Sequence, residues 1–145
     1  MPINRNMENN VTKGHGVKVI EPVNLYGCML SDDVFVGPFV EIQNDVVVGA
    51  RSRIQSHSFI CSRVKIGQDC FIGHGVMFTN DKFTDRCLSK DFLPTTIGNK
   101  VYIGSNATIL PVDICDDVVI GAGAVVTKNI TQPGTYVGNP AKRLK

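Results

Sequence analysis

The sequence predicts an all-β fold, a parallel β-helix built from six-residue repeats. A large apolar residue returns at every sixth position over eight repeats: Val36, Ile42, Val48, Ile54, Ile60, Ile66, Ile72 and Phe78. Four residues after each of the first seven comes a small or β-branched residue: Val40, Val46, Ser52, Ser58, Val64, Cys70 and Val76. A period of six fits neither the 3.6 residues of a helical turn nor strand alternation. Repeats of this length are typical of parallel β-helices.

The two offsets within each repeat predict one short strand followed by a corner. The large residue and the residue four positions later both point into a narrow core, and a glycine directly after the large residue relieves crowding at the bend. Three repeats close one triangular coil, so residues eighteen apart in sequence stack on one another. Strands of successive coils then pair in parallel at about 4.8 Å.

The same periodicity divides the chain into segments. Residues 1–16 are polar and aperiodic, which predicts a flexible N-terminal arm, and residues 17–145 form the single β-helix domain. The pattern breaks after Phe78 and resumes at Ile97, so one loop at about residues 79–96 must leave the coil. From Ile109 to Ile114 the interval is five residues rather than six, which places Ser105 beneath Ala122 in the stack.

Composition excludes several classes of protein. A chain with 43% hydrophobic residues and a net charge of +2 is not a nucleic-acid-binding protein, since such proteins are strongly basic. No apolar run reaches the roughly 20 residues of a membrane span, and the N-terminus lacks a signal-peptide pattern, so a cytoplasmic protein is expected. The five cysteines have no zinc-ligand spacing and are interpreted as small hydrophobic residues in a reducing compartment.

Outward-facing residues predict an interface between subunits. Residues five positions after each large residue stack into two columns, Phe35/Arg53/Phe71 and Glu41/Phe59/Met77. Aromatic and methionine side chains aligned in this way are typical of a surface that becomes buried. We therefore expect a closed, symmetric oligomer.

Three segments carry a resemblance to a known family: IGHGVMFTNDKF at 72–83, IGSNATILPVDICDDVVIGAGAVVTK at 103–128 and PGTYVGNPAK at 133–142. Together they resemble the hexapeptide-repeat acyltransferases, which use acetyl-CoA. The resemblance implies a left-handed β-helix that works as a homotrimer, with three active sites in the grooves between subunits.

The resemblance also implies the residues that bind acetyl-CoA along the C-terminal coils: Ser105, Ala122, Gly123, Thr127, Lys128 and Lys142. The residue types suit this role, because small side chains allow a pantetheine arm to approach the backbone and lysines attract phosphates. An equally simple alternative holds for Gly123, since a tight corner by itself requires a residue of this kind.

The acceptor is indicated by HSFIC at 57–61 followed by IGHGVMFTND. These strings resemble N-acetyltransferases that acylate the amine of a nucleotide-linked amino sugar, often a 3-amino sugar destined for a surface polysaccharide such as lipopolysaccharide. Sugar O-acetyltransferases of the maltose and galactoside type carry a histidine base in the loop that follows, whereas this chain has Thr79–Phe83 there. Such an O-acetyltransferase and a non-catalytic β-helix subunit remain the alternatives.

Three residues are the candidates for catalysis. His57 and His74 are predicted to share one corner, because His74 lies eighteen residues after Ser56, and either could accept a proton at neutral pH. Asn80, where the coil gives way to the loop, is predicted to orient the acceptor amine during direct attack on the thioester. No metal site is expected, because His15, His57 and His74 lack the spacing of the γ-type carbonic anhydrases.

Overall fold

The computed structural model describes residues 7–82 and 92–144, which wind into a three-sided prism of stacked coils. Sheet 1 contains β1 (Glu8–Asn9), β4 (Asn24–Tyr26), β7 (Glu41–Ile42), β10 (Phe59–Ile60), β13 (Met77–Phe78), β16 (Thr108–Ile109) and β19 (Val125–Val126). Sheet 2 contains β2 (Thr12–Lys13), β5 (Met29–Leu30), β8 (Val47–Val48), β11 (Val64–Ile66), β14 (Thr95–Ile97) and β17 (Asp113–Ile114). Sheet 3 contains β3 (Lys18–Val19), β6 (Phe35–Val36), β9 (Arg53–Ile54), β12 (Phe71–Ile72), β15 (Tyr102–Ile103), β18 (Val118–Ile120), β20 (Gly134–Val137) and β21 (Lys142–Arg143).

The predicted stacking is confirmed by the strand pairing. Ile42 pairs in parallel with Ile60, eighteen residues later, and Ile103 pairs with Ile120 across the shortened corner, seventeen residues later. The large residue of each repeat points inward, and most of these side chains are fully buried. The outward columns Phe35/Arg53/Phe71 and Glu41/Phe59/Met77 also form as predicted, since their members are paired in the ladders.

The corners share one backbone conformation. The third residue after each large one repeatedly has positive φ, for example His57 at 65° and Asn106 at 62°. Asparagine, aspartate and glycine adopt this left-handed region at low cost, which explains their frequency at these positions.

The interruption between β13 and β14 agrees with the predicted loop, with one correction at its end. Val64 of β11 pairs with Thr95, 31 residues later rather than eighteen, so the additional residues lie between Phe78 and Thr95. The coil resumes at Thr95, before Ile97, because Thr95 occupies the inward position of Val64 and is buried. Residues 83–91 of the predicted loop lie outside the described residues.

The predicted arm over residues 1–16 is wrong for its second half. Strand β1 pairs with β4 and β2 pairs with β5, so residues 8–13 belong to the first coil. These polar residues carry no hexad signal because only Val11 packs against the core there, while backbone pairing holds the segment. Residues 1–6 lie outside the described residues. Across 7–82 and 92–144 the structure has no helix long and apolar enough to cross a membrane.

Candidate functional site

Five of the nine predicted site residues lie along one edge of the prism, where sheet 3 turns into sheet 1. We call this the histidine edge; its corners are residues 37–39, 55–57, 73–75, 104–106 and 121–123. Backbone hydrogen bonds link them in order: Gly75 N–H donates to Ser56 O at 3.0 Å, Asn106 N–H to His74 O at 2.9 Å, and Gly123 N–H to Ser105 O at 2.9 Å. His57, His74, Ser105, Ala122 and Gly123 therefore stand on successive coils.

Above the histidines the edge has small side chains on closely packed coils. A Cβ atom added to Gly104 would lie 2.5 Å from the Ala122 nitrogen, so this glycine is needed for the coils to approach each other. Gly123 differs, because a Cβ atom there would meet nothing within 4 Å. Its φ of 70° favours glycine, while the space outside remains open to a ligand.

The C-terminal hairpin covers the upper end of the histidine edge. Val125 N–H donates to Gly138 O at 2.9 Å, and Ala141 N–H donates to Val125 O at 2.8 Å. The antiparallel pairing of β20 with β21 places Lys142 opposite Val137. Lys142 is exposed there, so its ammonium group is available to an anionic ligand at the top of the coil.

The remaining three predicted site residues lie on a different edge, where sheet 1 turns into sheet 2. We call this the asparagine edge; its corners include residues 43–45, 61–63, 79–80, 110–112 and 127–129. Asn80 follows β13, and Thr127 and Lys128 follow β19. Within one chain the whole width of sheet 1 separates these residues from the histidines.

Asn80 is held by the coil beneath it. Its side-chain Nδ2 donates to Ser62 Oγ at 3.0 Å and lies 3.4 Å from Ser62 O. The backbone carbonyl of Ser62 can only accept, so this contact identifies the nitrogen end of the amide. Leu93 N–H donates to Asn80 O at 2.9 Å, and Arg63 Nη1 donates to Phe92 O, so both ends of the interruption are tied to one corner.

Two residues of these edges are not found by motif analysis. Ser62 lies eighteen residues before Asn80, so the stacking rule could have identified it as the partner of that side chain. Phe39 occupies the corner position of His57 one coil lower, and their rings stack with centroids 4.9 Å apart at 16°. The periodicity places Phe39 at a corner, but only the side-chain positions reveal the stack.

Cysteines contribute to packing rather than to either edge's chemistry. Burial raises the pKa of the Cys28 and Cys61 thiols to about 11 each, so both stay protonated at neutral pH. Cys87 lies outside the described residues. In the described segments no three His, Cys, Asp or Glu side chains are grouped closely enough to hold a metal ion.

A cavity of about 530 Å³ lies away from both edges. It opens on sheet 3 and is lined by Arg51, Arg53, Asp69, Cys70, Phe71 and Tyr102. Arg51 Nε pairs with Asp69 Oδ1 at 2.8 Å, and the Arg53 guanidinium lies 4.3 Å from the centre of the Phe35 ring. Because the cavity includes part of the Phe35/Arg53/Phe71 column, its position suits the predicted subunit contact better than catalysis.

The prism and its hexad core define a parallel β-helix built from six-residue repeats. Two family models match, "Hexapeptide repeat of succinyl-transferase" at residues 63–77 and 94–128 and "Bacterial transferase hexapeptide (six repeats)" at residues 27–62. Together they cover more than half of the chain, which therefore belongs to the family of hexapeptide-repeat acyltransferases. The predicted fold class, a left-handed parallel β-helix of hexapeptide repeats, is confirmed.

Two curated relatives are similar to parts of the chain. The bifunctional protein GlmU of Streptococcus uberis is 29% identical over 120 residues, which is 82% of this chain and 24% of the relative. A galactoside O-acetyltransferase of Escherichia coli is 47% identical over 53 residues, or 36% of this chain and 26% of the relative. The chain thus matches about a quarter of the length of these proteins.

A solved structure is similar over most of the coil. A variant of the GDP-perosamine N-acetyltransferase of Caulobacter crescentus, in complex with CoA and GDP-perosamine, superposes with a TM-score of 0.71. It is 21% identical, and the match covers 90% of this chain and 54% of that one. At this identity the likeness concerns the fold.

Proposed function

We propose that the protein transfers an acetyl group from acetyl-CoA to the amine of a nucleotide-linked amino sugar. A 3-amino sugar for the synthesis of a surface polysaccharide such as lipopolysaccharide is the expected acceptor. The observation that carries the proposal is the order of residues on the histidine edge. Small, accessible residues at Ser105, Ala122 and Gly123 stand directly above two exposed histidines. A narrow acyl carrier can lie along the first group and deliver its thioester toward the second.

The upper part of this edge suits acetyl-CoA. Ala122 and Gly123 are exposed and leave the backbone open to a pantetheine arm, whose amides can hydrogen-bond to corner peptide groups. Lys142 at the top of the coil offers a positive charge for the phosphates. The proposal is consistent with the CoA complex of the similar N-acetyltransferase. The proposed reaction would take place in the cytoplasm, the location expected from the sequence.

The proposal includes a homotrimer, which is supported by the separation of the two edges within one chain. Asn80, Thr127 and Lys128 cannot join the histidines within one chain, because sheet 1 lies between them. A neighbouring copy can bring its asparagine edge to the histidine edge of the first, and cyclic symmetry repeats this contact three times. Light scattering at low micromolar concentration should give three times 15.8 kDa. A stable, active monomer would contradict the shared site.

The reaction is a direct displacement. The lone pair of the neutral sugar amine attacks the thioester carbonyl carbon, the new C–N bond forms, and the C–S bond breaks with departure of the CoA thiolate. The nitrogen loses one proton, and the thiolate can take one up. Since the thioester is already activated, alignment of the two bound molecules is the main contribution, worth up to ~7–11 kcal/mol.

Asn80 would orient the amine through its side-chain oxygen. The Nδ2 end of the amide contacts Ser62, so the Oδ1 end is the one that can accept an N–H of the acceptor. Ser62 is 7% exposed and sits in the rigid coil, so the amide is held before the substrate arrives. In this scheme Ser62 is a positioning residue for Asn80.

His74 is the better placed of the two histidines to receive the proton. It stands one coil closer to Ser105 and Ala122 than His57 does, and the His57 ring is stacked on Phe39. A positioned base contributes about 10²–10⁴-fold in rate. We assign the proton to His74, with His57 or a water molecule as the alternative acceptor.

The function is tested by incubating the protein with acetyl-CoA and a panel of UDP-, dTDP- and GDP-linked amino sugars. CoA release is followed with a thiol reagent, and the product is identified by the mass of one added acetyl group. We expect turnover only with an amino sugar, and none with the matched sugar that carries a hydroxyl at the same position. Absence of transfer to every amine would overturn the proposal.

Sugar O-acetylation is the second candidate, favoured by the 47% identity to a galactoside O-acetyltransferase over 53 residues. Maltose and a galactoside in the same panel separate the two functions. Acetylation of these sugars at a rate equal to or above that of every amino sugar would establish the alternative. A protein that fails to bind acetyl-CoA would instead be the non-catalytic subunit.

A further inference from the structure

The lower end of the histidine edge carries an exposed aromatic residue in an unusual setting. Phe39 has a φ of 64° and is 56% exposed. Every other non-glycine residue with positive φ in residues 7–82 and 92–144 is polar or charged. A bulky apolar residue is costly in this conformation and gains little from burial here, so neither folding nor packing explains it.

The Phe39 ring is nevertheless held in place. The imidazole of His57 stacks against it at 4.9 Å and 16°, and Phe39 N–H donates to Pro22 O. Phe39 also lines a shallow cavity of about 230 Å³ with Pro22, Val23, Asn24, Val40 and Glu41. The volume is below the range of pockets that enclose a whole small ligand, so it suits one planar ring of a longer molecule.

The cavity wall next to Phe39 has hydrogen-bonding groups with a fixed orientation. Asn24 Nδ2 donates to Glu41 Oε1 at 3.2 Å, and Gln43 Nε2 donates to Glu41 Oε2 at 3.1 Å. Each carboxylate oxygen retains further acceptor capacity. An aromatic face beside a fixed acceptor matches a base that stacks through its plane and donates a ring N–H at its edge.

We propose that Phe39 and Glu41 form the nucleobase subsite for the nucleotide-linked acceptor. The inference rests on the proposed function and assigns the position at which the nucleoside of the acceptor binds. Three coil spacings, about 14 Å, separate the level of Phe39 from that of Ser105. Base, ribose, diphosphate and sugar are joined in series, so a nucleoside at Phe39 allows the sugar to reach the level of His74. His57 lies between, where the phosphates pass.

Glu41 restricts the base that fits. Guanine, uracil and thymine each present a ring N–H to a carboxylate, whereas adenine has only an exocyclic amine and acceptor ring nitrogens. We therefore expect GDP, UDP or dTDP to bind in preference to ADP. Glu41→Gln keeps the shape but adds an N–H donor, so it should reduce this preference.

The first test is calorimetric titration of the protein with GDP, UDP, dTDP and ADP. Phe39→Ala should weaken the best diphosphate by about 5- to 100-fold, the range for loss of base stacking. Phe39→Tyr should retain affinity. Met29→Ala, which removes an apolar side chain of similar exposure (47%) from sheet 2, is the matched control and should bind normally. Unchanged affinity in both Phe39→Ala and Glu41→Gln overturns the subsite.

A second measurement separates base binding from an effect through His57. With the amino sugar accepted in the panel, Phe39→Ala should raise KM for the nucleotide-linked form and leave KM for the corresponding sugar 1-phosphate unchanged. An equal rise for both would mean that Phe39 acts only through His57, and the inference fails while the proposed function stands. If diphosphate binding depends on Phe39 but no amine is acetylated, the nucleobase subsite stands and the proposed function fails.

Discussion

The histidine edge and the asparagine edge are built from the same repeat but differ in how their polar groups are used. On the histidine edge the side chains of His57, His74 and Ala122 are exposed. On the asparagine edge Cys61 and Ser62 are buried, and the Asn80 amide is bonded to the coil below. One edge presents groups to a ligand, whereas the other fixes groups in position.

The difference shows how a uniform solenoid can contain a specific site. The hexad pattern determines that each corner turns, because inward residues supply most of the stability, while exposed corner positions such as those of His57, His74 and Ala122 can vary. One edge can then collect small and ionisable residues for two substrates, while another anchors a loop and one oriented amide. In the proposed trimer, a site that needs both properties would form where two different edges meet across a subunit boundary.

The largest effect on activity is expected from substitutions on the histidine edge. His74→Asn should lower kcat/KM by more than tenfold but less than ~10³-fold, because direct attack still proceeds with water as proton acceptor. His57→Asn should cost less, since its ring faces Phe39. The measurement is steady-state kinetics with the trimer verified by light scattering. An inactive but trimeric variant that binds both substrates would mean that a histidine base is obligatory.

Obstruction of the small-residue column should weaken acetyl-CoA binding rather than slow the chemical step. Ala122→Leu fills the exposed position above Ser105 and blocks the path of the pantetheine arm. We expect acetyl-CoA affinity to fall by about two orders of magnitude, which corresponds to ~2.8 kcal/mol. Ala50→Leu is the matched control, because Ala50 occupies the same repeat position on the edge between sheets 2 and 3. Calorimetry that finds equal affinities for both variants would assign the cofactor elsewhere.

Removal of the oriented amide tests the asparagine edge. Asn80→Ala should reduce kcat/KM at least tenfold while acetyl-CoA affinity is retained, because the loss concerns alignment of the amine. Asn44→Ala provides the control, since Asn44 stands two coils below Asn80 in the same column and bonds to Asp45. Ser62→Ala should give a smaller loss that Ser62→Thr restores. An Asn80→Ala variant with normal kinetics would remove Asn80 from the site.

The smallest effect is expected on the pH dependence of stability, through the buried thiol of Cys61 on the asparagine edge. Burial raises the pKa of Cys61 to about 11, from an ordinary value of 9.0. The folded state then binds the thiol proton more tightly than the unfolded state, so this contribution to stability is complete below pH 9 and is lost as pH rises toward 11. Cys61→Ala should flatten the fall in melting temperature over that range. Because Cys61 is buried, a thiol reagent should modify it only slowly in the native protein. Rapid modification would mean that the asparagine edge is open, contrary to the structure.

The coil could be predicted from the sequence. A strict period of six is typical of coils that close after three repeats, so strand positions, inward and outward columns and the superposition of Ser105 and Ala122 could all be predicted. The extent of the first coil could not, because residues 8–13 are held by backbone hydrogen bonds that any polar residue can make. The hexad signal records core packing, and that segment contributes little to the core.

The contacts of side chains at the corners could not be predicted in this way. Periodicity places Asn80 above Ser62 and His57 above Phe39, but it does not indicate that the first pair is hydrogen-bonded or that the second is stacked. These contacts depend on rotamers and on the interruption between β13 and β14, which ties Leu93 to Asn80. The side chains of His57 and Phe39 are exposed, so no packing constraint in the sequence fixes their direction, and only the folded coil brings them within reach of each other.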